Sequence, residues 1–314
     1  MMASNSYWAK RRQQEKAWMR QNLADDEAFG RHLKAFYDRA IVDINQTIET
    51  ELKRVGANAV SQMDVEKYQA KAAEIVAEAQ ELWAKGHKVT YADYSAQINQ
   101  RLKVYNATMR INRLEHLKSE VGLDMLHAGI KIDAALRDKL AGDYQKEVMR
   151  QAGIMMDSAQ HSIWTSKEMG KIVMVSTGGA TFSQRLWANQ DALKARLDQV
   201  LATGTIAGQN PRKMAQRLRD QVKSTVTNQR YVTERIARTE SARVMHATQM
   251  QAIIRNGYKY VEWIEELSAC PDCKRIAKQD NGHGPGIYTV DQVPFIPVHP
   301  NCRCAVCEMV LDAD

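Results

Sequence analysis

The first 210 residues of this chain contain no proline, and all six prolines follow them. Because proline breaks the interior of a helix, only glycine and turn residues can end helices in this stretch. Apolar residues recur there at the three- and four-residue spacing of one helical face. We therefore expect an elongated helical bundle or a set of stacked helical hairpins over residues 1–170.

Four apolar stripes predict where these helices lie. Gly86 and Gly122 are the predicted ends of the second and third helices, because glycine commonly follows the last helical turn. The stripes cover residues 41–55, 75–83, 98–121 and 144–163.

Residues 171–183 interrupt the helical pattern, because they are β-branched and then contain glycine. They predict a short strand or an extended connector, after which helix returns over 182–201. The predicted fold class is mainly α (α+β), with a helical C-terminal module that contains a small β element and a Cys/His loop. We predict a helical domain over 1–170, a connector over 171–189 and the module over 190–314.

A clear start signal opens the helices of this module. Asn210 is suited to accept an unpaired first-turn N–H, and Pro211 fits the first helical position, where its missing N–H costs nothing. The predicted elements that follow are helices over 211–222 and 227–255, a helix stop at Asn256-Gly257 and a strand over 258–264.

Composition favours a soluble globular protein, with 44% hydrophobic and only 7% aromatic residues. No apolar run approaches the ~20 residues that span a bilayer. Residues 1–16 lack the apolar segment of a secretory signal, so we do not expect one. The five cysteines are an odd number, which would leave one thiol outside any disulfide framework, and we expect a reducing compartment.

Positive charge is concentrated in one segment. Residues 200–260 contain eleven Lys/Arg and three Asp/Glu, a net +8, whereas the whole chain carries +7. Basic faces favour nucleic acid or acidic partner surfaces, although a solvated helix face is the commoner explanation for any single helix. The candidate nucleic-acid-binding residues are Arg212, Lys213, Arg217, Arg219 and Lys223.

All five cysteines lie in the last fifty residues, in short-spaced groups separated by a glycine- and proline-rich loop. Cys270-Pro-Asp-Cys273 presents two sulfurs from one tight turn. His299-x-x-Cys302 offers a second pair at the same spacing. Zinc takes four thiolate or imidazole ligands in a tetrahedron, so this arrangement predicts a structural zinc site. Binding would contribute on the order of 10 kcal/mol, which offsets the cost of ordering the loop.

The spacing leaves the ligand set open. Cys302 belongs to either choice of second pair, and His299 is slightly preferred to Cys304 as its companion, with Cys307 as a spare. Two alternatives to a metal are reduced cysteines packed as small hydrophobic residues, and one or two disulfides formed outside the cell.

A catalytic zinc is the main functional alternative, because it would make the protein a zinc-dependent nuclease or hydrolase. Such a site needs an open coordination position and a nearby base. His283 and Asp280 lie in the loop, but the chain has no His-Glu-x-x-His motif and no phosphate-binding glycine loop.

Several motifs occur in a fixed order along residues 190–307, and together they resemble the phage head morphogenesis family, the Mu F-like minor head proteins of tailed bacteriophages. The N-terminal helical half carries no matching motif. The motifs are Asn210-Pro211 within Gly-Gln-Asn-Pro-Arg-Lys-Met-Ala, Arg238-Thr239-Glu240, Gly257-Tyr with Trp263, Cys270-x-x-Cys273, Pro294 and His299-Pro-Asn-Cys302-Arg-Cys304.

The resemblance implies a structural minor capsid protein rather than an enzyme. It implies low copy number in a virion, association with the portal protein during prohead assembly in the host cytoplasm, and a place in the head interior or at the portal vertex. Scaffold protein, capsid protein and double-stranded DNA are the further implied partners. A basic C-terminal half suits contact with packaged DNA, since binding of its cationic side chains to phosphates releases counterions and thereby favours association.

Two roles are open for Glu240 in the Arg-Thr-Glu triplet. The favoured one is an ion pair or hydrogen bond that holds the helix to the cysteine loop. The other is an acid/base or metal-adjacent carboxylate.

Overall fold

The computed structural model describes residues 5–55, 59–87, 94–155, 166–206 and 211–311. These residues are mainly helical with one small sheet, which confirms the predicted fold class. Among them, no helix combines the length and apolar character that a bilayer crossing needs. The elements are α1 (Asn5–Leu52), α2 (Gln62–Lys85), α3 (Ser95–Thr108), α4 (Arg113–Met155), α5 (Ser166–Val173), α6 (Phe182–Ile206), α7 (Pro211–Arg255), β1 (Tyr260–Ile264), α8 (Pro271–Lys278), β2 (Ile287–Thr289) and β3 (Ala305–Met309).

The chain forms two compact units, each assembled from separate parts of the sequence. Unit 1 combines Met1–Gly30, Lys139–Val175 and Arg235–Asp314, and unit 2 combines Arg31–Asp138 and Ser176–Glu234. The long helices α1, α4 and α7 each contribute to both units. The sequence-based division at residues 170 and 190 stays a prediction.

Unit 2 contains a buried carboxylate on α4. Asp133 accepts hydrogen bonds from Arg137 Nε at 2.7 Å, Ser183 Oγ at 2.6 Å and Trp187 Nε1 at 2.6 Å. A fully buried charge is tolerated because it is paired and hydrogen-bonded. In the same unit, α2 ends immediately before Gly86, as the sequence predicted.

Unit 1 contains the sheet, whose strand order is β2-β1-β3 with antiparallel pairing. The core beside it includes Val261, Trp263 and Val306 from the strands and Ile253 from α7. Met19 of α1 packs in a separate small cluster with strand residues. As predicted, α7 ends just before Gly257, whose φ of 78° suits a residue without a side chain.

The prediction that Gly122 ends a helix was wrong. Gly122 lies inside α4, and a Cβ there would stand 2.8 Å from the ring of Tyr105 on α3. The glycine therefore permits close helix packing rather than a stop. The chain instead breaks between α3 and α4, where the Asn112 side chain accepts a hydrogen bond from the Glu115 N–H at 3.0 Å.

Two further expectations also need correction. Residues 171–183 do not begin as a strand or connector, because α5 continues to Val173; its Ile172 and Val173 are buried, and their packing overrides β-branched propensity. The helices predicted over 211–222 and 227–255 are one helix, α7, since no glycine or proline separates them. The fourth apolar stripe is helical to Met155, and its remainder lies outside the described residues.

Candidate metal centre

The first two thiols are held by the start of α8. Cys270 is the N-cap of this helix and Pro271 its first residue, and the backbone N–H of Cys273 lies 3.5 Å from Cys270 Sγ, to which it donates. The pair is thus presented by a helix N-terminus rather than by the tight turn expected from the sequence. That position favours negative charge, including a thiolate.

The structure brings together all five residues predicted as metal ligands. His299 Nε2 lies 3.1 Å from Cys270 Sγ and 3.2 Å from Cys273 Sγ. Cys273 Sγ also lies 3.8 Å from Cys302 Sγ. Cys273 therefore belongs to two triads, one with Cys270 and His299 and one with Cys302 and Cys304, and in each triad the donor atoms lie within 4.8 Å of one another.

These donors fit zinc. With Zn–S bonds near 2.3 Å, two sulfurs on one tetrahedral ion are roughly 3.8 Å apart, which matches the separation of Cys273 and Cys302. His299 Nδ1 lies 2.9 Å from the carbonyl oxygen of Pro300, to which it can only donate. This hydrogen bond leaves Nε2 free to face the thiols, as in many metal-ligating histidines.

The thiols differ in acidity. The pKa of Cys302 is lowered to about 5, first because the Cys304 side chain hydrogen-bonds to its thiolate. The pKa of Cys304 is raised because it gives that hydrogen bond and because it is buried. Burial and the nearby Cys302 charge raise the pKa of Cys273 to about 12. Cys302 is therefore the thiol of this set that is most readily ionised. This holds whether His299 or Cys304 is the fourth ligand.

Cys307 lies outside this donor group. It is on β3 and packs with Met19 and Ile264, and burial raises the pKa of its thiol. Its surroundings are those of a small hydrophobic residue rather than of the spare ligand that the sequence suggested. All five thiols are free of disulfides in the structure.

Two residues of the Arg-Thr-Glu triplet tie both donor-bearing segments to α7. Arg238 Nη2 donates to the carboxylate of Glu266, at 2.9 and 3.2 Å, in the segment that leads to the first thiol pair. The backbone N–H of Asn301, two residues after His299, donates to Thr239 Oγ1 at 3.0 Å. One turn of α7 thus fixes the two segments that meet at the cluster.

Glu240 has a different partner. It is 3% exposed and accepts a hydrogen bond from Arg243 Nε at 2.6 Å. Arg243 in turn donates to the carbonyl oxygens of Ile172 at 2.7 Å and Val173 at 2.9 Å, at the end of α5. This chain of contacts holds α7 to α5 and satisfies carbonyls that a helix C-terminus leaves unpaired.

Residues 195–307 match the family model described as Phage Mu protein F like protein. Through this region, about a third of the chain, the protein is similar to the phage head morphogenesis family. No curated protein and no solved structure matches the chain. The matched region contains the triplet and all five candidate ligands, whereas helices α1 to α5 lie outside it.

The other predicted positions of the Mu F-like region have varied surroundings. Pro211 is the first residue of α7, as predicted, while Asn210 lies outside the described residues. Trp263 is buried in the core beside the sheet. Arg212 and Lys213 belong to α7, but their side chains are outside the description.

The remaining basic candidates are exposed on the part of α7 that belongs to unit 2. Arg217, Arg219 and Lys223 lie on its solvent side, and Arg219 pairs with Glu49 of α1. They are therefore accessible to a polyanion, although Arg219 already has an acidic partner.

The two loop residues considered for a catalytic zinc have structural partners. Asp280 Oδ1 accepts the N–H groups of Gly282 at 2.8 Å and Gly284 at 3.1 Å. The His283 ring packs edge-to-face against Tyr260, with centroids 4.8 Å apart. Both contacts shape the loop.

Sequence reasoning missed Glu266, Asn301 and Arg243. Each makes at least one contact with a residue far along the chain. The nearest sequence signal was the Arg-Thr-Glu triplet itself, which indicated one end of each contact.

Proposed function

We propose that this protein is a structural minor head protein of a tailed phage that associates with the portal during prohead assembly. Similarity to the family supports a general role in phage head morphogenesis. The observation that carries the proposal is the Mu F-like match over residues 195–307, which spans the donor cluster and the α7 turn that supports it. Low copy number and a place in the head interior or at the portal vertex belong to the same proposal.

Within that role the donor cluster is a structural zinc site. Cys270, Cys273, His299 and Cys302 would hold the ion, with Cys304 as the alternative to His299. A bound zinc supplies cross-linking energy and holds the start of α8 to the segment before β3. Two features support this function: the donors are thiols and one imidazole, and Cys273 and Cys302 are each 1% exposed.

The basic part of α7 is proposed to contact packaged double-stranded DNA. Arg217, Arg219 and Lys223 are exposed, and Arg212 and Lys213 precede them on the same helix. Replacing the three exposed cations by Gln removes up to three phosphate contacts. The salt dependence of DNA binding, as the slope of log K against log salt, should then weaken by about one per lost contact. An unchanged slope would show that these three residues do not contact DNA phosphates.

Portal association is tested by co-expression with the portal protein encoded in the same genome. We expect a stable complex with the portal ring, zinc in the purified chain and no cleavage of plasmid DNA. Scaffold and capsid proteins serve as further baits. Divalent-dependent nicking that is lost on His283→Ala or His299→Ala substitution would instead establish a zinc-dependent hydrolase and overturn the structural proposal.

A further inference from the structure

Unit 1 contains a small cavity whose lining includes residues of α1, α4 and α7. Its volume is about 30 Å³, enough for one or two water-sized species. Three buried polar atoms belong to residues that line it, and none has a hydrogen-bond partner among the described residues. They are Glu15 Oε2, Asn22 Oδ1 and His246 Nδ1, on residues that are 0%, 7% and 5% exposed.

Within the described parts of the chain, the ion-pair network around Glu15 has one negative charge in excess. Arg11 binds Glu15 at 2.7 Å and Glu308 at 2.6 Å. Arg150 binds Glu15 at 2.6 Å and Glu147 at 2.6 Å. Three carboxylates therefore share two guanidinium groups, and the three carboxylate side chains are at most 1% exposed. A buried uncompensated charge is strongly unfavourable.

The charged groups described next to this network do not supply the missing positive charge. Arg303 also lines the cavity, but it is engaged by Asp26 at 2.7 and 2.5 Å. Lys139 lies 3.4 Å from Asp26 and 2.9 Å from Asp143, so this second group is itself balanced. Burial lowers the pKa of His246 to about 4, which leaves its ring neutral near pH 7.

We propose that this cavity binds one monovalent cation of about the size of a water molecule, potassium or ammonium. The cation balances the excess carboxylate charge and contacts the free oxygens of Glu15 and Asn22. Ammonium can also donate to His246 Nδ1. Among the described residues, groups of three or more His, Cys, Asp or Glu donors close enough for a metal occur only at the thiol cluster, so a divalent ion is not the expected occupant here.

The test is urea unfolding of the full chain in potassium, ammonium or N-methylglucamine chloride at equal ionic strength. A ligand that binds only the folded state raises the midpoint with its concentration. We expect a higher midpoint in potassium or ammonium, and the salt that gives the larger rise identifies the cation. The increment should be lost in Glu15→Gln, which removes the excess charge, and kept in Glu27→Gln, an exposed change on the same helix.

Because Glu15→Gln can also weaken folding, a second measurement uses the unaltered chain. Crystals grown with thallium(I), a heavy stand-in for potassium, should show an anomalous peak in the cavity. Equal midpoints in all three salts together with no thallium peak would overturn the proposal, since the cavity would then hold no cation.

Discussion

Thr239 on α7 accepts the backbone N–H of Asn301 through its hydroxyl oxygen at 3.0 Å. Asn301 has a φ of 68°, a left-handed conformation that asparagine tolerates better than most residues. It stands between His299 and Cys302, so this hydrogen bond sets the position of two candidate zinc ligands from a helix that lies outside the loop.

Replacing Thr239 by Val should remove this support while keeping the side-chain shape. We expect a loss of about 1 kcal/mol in the free energy of unfolding. Zinc affinity should fall by about tenfold, because groups that orient metal ligands have effects of that size. Competition with a chromogenic chelator measures the affinity. Thr239→Ser keeps the hydroxyl and should resemble the unaltered protein; equal affinity in the Val and Ser variants would refute this role.

Arg238→Gln should destabilise unit 1 by about 1–3 kcal/mol, because it leaves the buried Glu266 carboxylate without its cation. Arg235→Gln, an exposed change one turn earlier, should stay within about 0.5 kcal/mol. Chemical unfolding measures both. Adding Glu266→Gln to Arg238→Gln should recover part of the lost stability. A double variant no more stable than Arg238→Gln would argue against a stabilising Arg238–Glu266 ion pair.

The helical fold was predictable because its signals are local. The proline-free stretch and the apolar stripes indicated long helices, and Gly86 and Gly257 ended two of them as expected. Gly122 misled because its purpose is contact with Tyr105, a residue on another helix. The single helix α7 was split into two because the residues after Val222 gave no clear continuation signal.

The candidate site was predictable for a similar reason and to a similar limit. The spacing of Cys270, Cys273, His299 and Cys302 indicated the donors, since zinc imposes that spacing. The supporting partners depend on which distant segments meet, and no local pattern encodes that. Likewise, the excess charge around Glu15 is visible only once residues far apart in the chain are counted together.

Glu240→Gln tests whether this carboxylate has a structural or a chemical role. The buried Arg243 guanidinium would lose its charged partner at 2.6 Å, and breaking a buried pair costs about 3–5 kcal/mol. We therefore expect poor solubility or a large fall in the urea midpoint. A variant that folds normally yet loses a measurable DNA-cleaving activity would support the acid/base role instead.

His246 should make the protein sensitive to acid. Burial lowers the pKa of this ring from 6.5 to about 4, so the unfolded chain binds a proton more readily than the folded one. The stabilising contribution is present above pH 6.5 and is lost as the pH falls towards 4. It amounts to about 3 kcal/mol, since one pKa unit corresponds to about 1.4 kcal/mol.

The contribution of His246 is isolated by comparing variants across that pH range. His246→Phe should lose less stability than the unaltered chain between pH 6.5 and 4, and the ring contact with Phe295 can persist. His32→Gln, a change at an exposed histidine, should follow the unaltered chain. If the free energy of unfolding depends on pH in the same way for all three proteins, the role of His246 is ruled out.

Metal analysis of three purified proteins tests the proposed structural zinc site most directly. The unaltered chain should contain about one zinc per molecule, and Cys302→Ser should contain almost none. Cys307→Ser should retain the metal, because that thiol packs against Met19 and Ile264 outside the donor group. Zinc absent from the unaltered chain, or kept in full by Cys302→Ser, would contradict the assignment of a structural zinc site.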